Sequence, residues 1–198
     1  MKKKPGLKRI VEEGYEISFR YIKESRKFIY SAIGIFFFFA LLGFFVPIPE
    51  NIKSELLEYF SELIKKTEGF GIFEMILFLF ENNSISSFFG LFFGLIFGIL
   101  PFINASLNGL LLGIVAKISV SEVGIISLWR LLPHGIFELP AIFISLGLGL
   151  KLSTFIFKKK KWESLKVLLE KSFYVYIFII IPLLVIAAII EGILIVYI

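Results

Sequence analysis

Four stretches of this chain are apolar almost without interruption: Phe28–Val46, Ile85–Val120, residues 124–150 and Phe173–Ile198. Each reaches the roughly 20 residues that a helix needs to cross a bilayer. The second is too long for one crossing and is punctuated at Leu100-Pro101-Phe102-Ile103-Asn104, so it predicts a hairpin with helices near 85–103 and 105–120. Between the apolar stretches the pattern changes. Ile52, Leu56, Leu57, Phe60, Leu63 and Ile64 recur at helical spacing among Glu and Lys, predicting an amphipathic helix that stops before Gly69. Ile72–Phe80 is apolar except for Glu74 and too short to span, so it is expected to lie in the interface or against the bundle. Leu7, Ile10, Val11, Tyr15, Phe19 and Ile22 form a similar stripe ahead of the first crossing.

Composition fixes the class. With 58% apolar residues and 25 Phe, the chain has too little polar surface for a water-soluble domain. The expected fold is all-α, a polytopic transmembrane bundle of about five crossings with amphipathic interfacial helices. Charge gives the topology. Residues 1–27 carry nine Lys/Arg against four Glu, residues 47–84 three Lys against seven Glu, and residues 151–172 seven Lys against two Glu. By the positive-inside rule the two basic segments lie in the cytoplasm. The expected layout is a cytoplasmic basic amphipathic segment over 1–27 and a transmembrane bundle over 28–198, with 47–84 as an outside helical segment. The N-terminus is then inside and the C-terminus outside the cell membrane.

The basic stripes suit anionic lipid headgroups, and beside a membrane span they give no reason to expect nucleic acid. The absence of Cys excludes disulfides and thiolate metal sites. Asp and Gln are also absent, and nearly all charge is Lys and Glu, a bias that hyperthermophiles and AT-rich genomes share.

The candidate chemistry lies in Leu132-Pro133-His134-Gly135-Ile136-Phe137-Glu138-Leu139-Pro140, which holds the only histidine and an acid inside an apolar segment. Ionisable groups at such depth cost free energy unless paired. His134 and Glu138 are four apart and share a helix face. Pro133 and Pro140 are expected to break the fourth crossing near mid-membrane, as Pro101 breaks the hairpin. Asn108 and Glu191 are the candidate partners of this pair; Asn104, four residues before Asn108, and Arg130, which Glu191 could also pair with, complete the polar candidates. Two readings stay open: a pair that ties helices together, or a site that handles protons or cations. Two ligands are too few for a metal, and no cofactor is expected. There is no HExxH, no GxSxG elbow, no phosphate-binding glycine loop and, without Asp, no intramembrane aspartyl dyad. The chain is expected not to be an enzyme.

Leu132 to Pro140 with Ala141 and the glycine-rich run to Leu150 resembles the signature of the stage II sporulation protein M family. Asn82-Asn83, Pro101, Asn108-Gly109 and Ala187-Ala188-Ile189-Ile190-Glu191 extend the similarity over most of residues 80–195. The resemblance implies a five- or six-helix membrane protein with no established catalytic activity. It also implies importance for His134, Glu138, Asn108 and Glu191. The founding member in spore formers is a membrane-anchored scaffold for peptidoglycan-remodelling enzymes. Similar proteins in archaea and in bacteria that do not sporulate show that sporulation is not the family's general task. The expected function is a non-enzymatic scaffold recruiting membrane or surface proteins. The alternative is a small transporter or channel with its site at the Pro133–Pro140 break. Gly90, Gly94 and Gly98 offer a smooth ridge that an internal helix or a second protomer could fill, so a homodimer is permitted.

Overall fold

Helix is the only regular structure among the described residues, which in this computed structural model are 7–47, 49–126, 128 and 132–197, with backbone alone at Leu7 and residues 132–134. The α-helices are α1 (Leu7–Phe45), α2 (Glu50–Thr67), α3 (Ile72–Phe92), α4 (Ile99–Val123), α5 (Leu132–Leu152), α6 (Lys161–Val175) and α7 (Ile181–Tyr197). Short 3-10 turns extend α3 through Leu95 and α5 through Phe157, and a π-helical turn, Tyr176–Ile180, joins α6 to α7 without interruption. Five of these helical stretches are long and apolar enough to cross a bilayer: 8–45, 72–95, 99–123, 135–157 and 161–197. The all-α polytopic class read from the apolar pattern is therefore the observed one.

Packing directions alternate as single crossings require. α4 runs parallel to α1: Gly109 lies on Phe36, Gly113 on Ala40, and Lys117 Nζ donates to the Val46 carbonyl at 2.9 Å. That last bond satisfies an orphan carbonyl at the end of α1 with a cation. α5 runs against α1, with Phe143 edge-on to Phe36 at 5.1 Å and Gly147 on Ile29. α3 runs with α5, Ser145 donating to the Ser87 carbonyl and Gly94 facing Gly149. α7 runs against α3: Gly192 faces Ile76, and the Tyr176 hydroxyl donates to the Ser84 carbonyl at 3.0 Å. Helices in lipid gain little hydrophobic free energy from each other, so close backbone approach at small residues carries the association. The ridge of Gly90, Gly94 and Gly98 is filled from within the chain, by Leu146, Gly149 and Ser153 of the α5 stretch.

The basic amphipathic segment is continuous with the first crossing, so α1 is a single helix of 39 residues, about 58 Å long. Its exposed side carries the i,i+4 pairs Arg9–Glu13 and Glu16–Arg20, which support the helix beyond the apolar run. Its inner side enters the core. Tyr21 is 1% exposed and clusters with Leu91, Leu148, Val175, Ile180 and Leu184. Lys151 Nζ sits 3.9 Å from the Tyr21 ring centroid and 2.9 Å from Ser25 Oγ, and its side chain is only 14% exposed. A desolvated cation over an aromatic face contributes about 2 kcal/mol. Lys151→Met is therefore expected to lower the thermal unfolding temperature in detergent. Lys158→Met, at an exposed lysine, should leave that temperature unchanged.

Three expectations about helix limits are corrected. First, the hairpin does not turn at Pro101. The reversal is at Phe97 (φ 52°) and Gly98 (φ 71°), and Pro101 lies in the first turn of α4, where its missing N–H has no intrahelical partner to lose. Second, Ile72–Phe80 is not a short interfacial helix but the first half of the crossing 72–95, because Glu81-Asn82-Asn83 interrupt the apolar run without interrupting the helix. Third, the fourth crossing is unbroken. Pro133 is the second residue of α5, and Pro140 lies inside the helix with its ring exposed. One proline deletes a single backbone bond, and a helix held by neighbours on both sides carries that loss.

Candidate functional site

A cleft of about 400 Å³ opens beneath α2 and reaches into the middle of the bundle. Each of its walls follows from the local sequence. α2 alternates Glu and Lys with apolar residues, so only one stripe can face the bundle. Phe60 and Leu63 of that stripe, with Tyr59, roof the cleft, and no residue of α2 is fully buried. α3 contributes Phe78, Leu79, Asn82 and Asn83, the last two from the polar interruption of its apolar run. α4 contributes Asn108, α5 contributes Gly135 and Glu138, and α7 contributes Glu191. Leu111, Leu112, Val115, Leu139 and Ile142 complete apolar sides around this polar floor.

The polar groups are arranged as acceptors. Asn108 Nδ2 donates to both the backbone oxygen and Oδ1 of Asn104, each at 2.9 Å. Both of its protons are thereby used, leaving the Asn108 side-chain carbonyl as an acceptor. Glu138 and Glu191 are half-buried and within electrostatic reach of one another. Glu191 Oε2 is shielded from solvent and has no hydrogen-bond partner among the described residues. Of the described residues lining the cleft none is basic. No group of three or more His, Cys, Asp or Glu able to hold a metal ion occurs among the described residues.

The fold thus brings Glu138, Asn104, Asn108 and Glu191 to one place from three helices. Arg130 and the side chain of His134 lie outside the described residues. The sequence reading did not place Asn82, Asn83, Tyr59 and Phe60 at this site. A short polar interruption, Glu81-Asn82-Asn83-Ser84, between two apolar runs was the available signal for the two asparagines.

A five-crossing helical bundle with a polar cleft among its helices defines a multi-pass integral membrane protein. Comparison with known families sharpens this: residues 32–194 match Stage II sporulation protein M, and the chain belongs to that family. No curated protein and no solved structure matches it.

Proposed function

We propose that this chain is a non-enzymatic membrane scaffold that recruits partner proteins through the end of the bundle bearing α2. The observation that carries this reading is the unsatisfied surface of α2. The bundle covers one stripe of it and leaves Ile52, Leu57, Tyr59 and Ile64 exposed, and Phe73 at the start of α3 is exposed as well. Apolar residues projecting from an amphipathic helix outside the bilayer core mark interaction sites. Family membership supports the reading, as does the absence of any catalytic motif in the sequence.

In this reading the α2 end faces outside and the basic ends of α1 and α6 face the cytoplasm. The charge asymmetry between residues 47–84 and the segments 1–27 and 151–172 supports that orientation.

A photo-crosslinking amino acid at Ile64 or Phe73 tests it in native membranes. A discrete protein adduct is expected from these positions, lost when Leu57→Lys is added. Leu107, exposed on the side of α4, should label lipid alone. Lipid or self adducts from every position would defeat the scaffold reading.

A further inference from the structure

We propose that the cleft beneath α2 binds an amphipathic organic amine, with its ammonium group between Glu138 and Glu191 and its apolar body along the leucine-lined wall. The first argument is charge. Two carboxylates from different helices line one cleft inside the bundle, and Glu191 Oε2 is solvent-shielded and unpartnered among the described residues. Like charges so placed repel, and an intervening cation relieves both repulsion and desolvation. No described lining residue supplies that cation.

The second argument is shape and lining. A volume of about 400 Å³ falls within the range of small-molecule sites and is far larger than a bare ion fills. Hard divalent cations take six or more oxygen ligands, several of them carboxylates, and no group of three or more His, Cys, Asp or Glu gathers here among the described residues. An ammonium needs less: hydrogen-bond acceptors, which Glu138, Glu191 and the Asn108 carbonyl provide, and aromatic faces such as Tyr59 and Phe60. Apart from Asn82 and Asn83, the remaining wall is apolar and mostly aliphatic, which fits a hydrocarbon tail rather than a polar solute.

The test uses the full chain in phosphatidylcholine nanodiscs and two eight-carbon diazirine probes, one ending in a primary amine and one in a hydroxyl. The amine probe is expected to label α2 and α7 peptides saturably. Labelling should fall at least about tenfold in the Glu138→Gln/Glu191→Gln double variant, the loss of two charge-assisted contacts. That variant's unfolding temperature is measured alongside, to show that it is folded. Equal labelling by the hydroxyl probe, or labelling that survives the double substitution, overturns the proposal. Amine labelling seen only after Arg130→Met or His134→Phe also overturns it, because the chain then supplies its own cation.

Discussion

Gly113→Leu is expected to dismantle the pairing of α1 with α4, which rests on glycines that let the two backbones touch. At Gly113 an added Cβ meets the Ala40 carbonyl and comes within 2.9 Å of the Phe44 nitrogen, so the obstruction is backbone and no rotamer change relieves it. Gly109, one turn earlier, is pressed against the Phe36 carbonyl in the same way. Overpacking a core costs about 1–3 kcal/mol when side chains can yield, and more when only the helix axes can move. The variant should lose its monodisperse elution in mild detergent and become sensitive to protease within α1. Gly34→Leu is the matched control: it lies on α1, the partner helix of this pairing, with nothing within 4 Å of its Cβ position. If both variants behave like the parent protein, α1 and α4 do not meet through their glycines.

Glu191→Leu should do the opposite and raise the unfolding temperature. Glu191 Oε2 has neither solvent nor a hydrogen-bond partner among the described residues, and Glu138 is its electrostatic neighbour. A buried unsatisfied polar group costs about 1–3 kcal/mol, and an isosteric apolar residue recovers that cost. The measurement is the shift of the thermal midpoint in one detergent with no amine added. A lower midpoint would mean that Glu191 ties the bundle together, the structural role left open for it on sequence grounds. A higher one would mark a residue retained at the expense of stability, as residues that serve a ligand are.

The sequence made the crossings legible because apolar length and charge asymmetry are properties of whole segments. Local helix limits were harder. Glu81-Asn82-Asn83 read as part of the outside segment 47–84, since polar residues in a row usually leave the bilayer. Here the face of α3 turned to the cleft receives Asn82 and Asn83 while Glu81 stays exposed, and only the tertiary arrangement reveals that face. Pro101, Pro133 and Pro140 were weighted by what proline does to an isolated helix. Two of them fall in first turns that have no bond to lose, and the third sits where neighbours hold the helix straight through. The true reversal at Phe97-Gly98 carried only the weak mark of one glycine among many. Residues four apart were more informative. Asn104 and Asn108, four apart on α4, are hydrogen-bonded to each other, and Glu138 and Glu191 line the same cleft from different helices.

The π-helical turn at Tyr176–Ile180 sets the phase of everything that follows it. Such a turn holds one residue more than the α-helical screw accommodates, and each residue of that screw advances the side chains by about 100°. If the same residues wound as regular α-helix, α7 would arrive at position 191 rotated by about that angle, and the carboxylate would no longer face the cleft. The placement of the cleft's second acid therefore depends on a π turn about three turns away. A homologue with one residue fewer and a regular α-helix here would keep the same floor with its acid one position earlier.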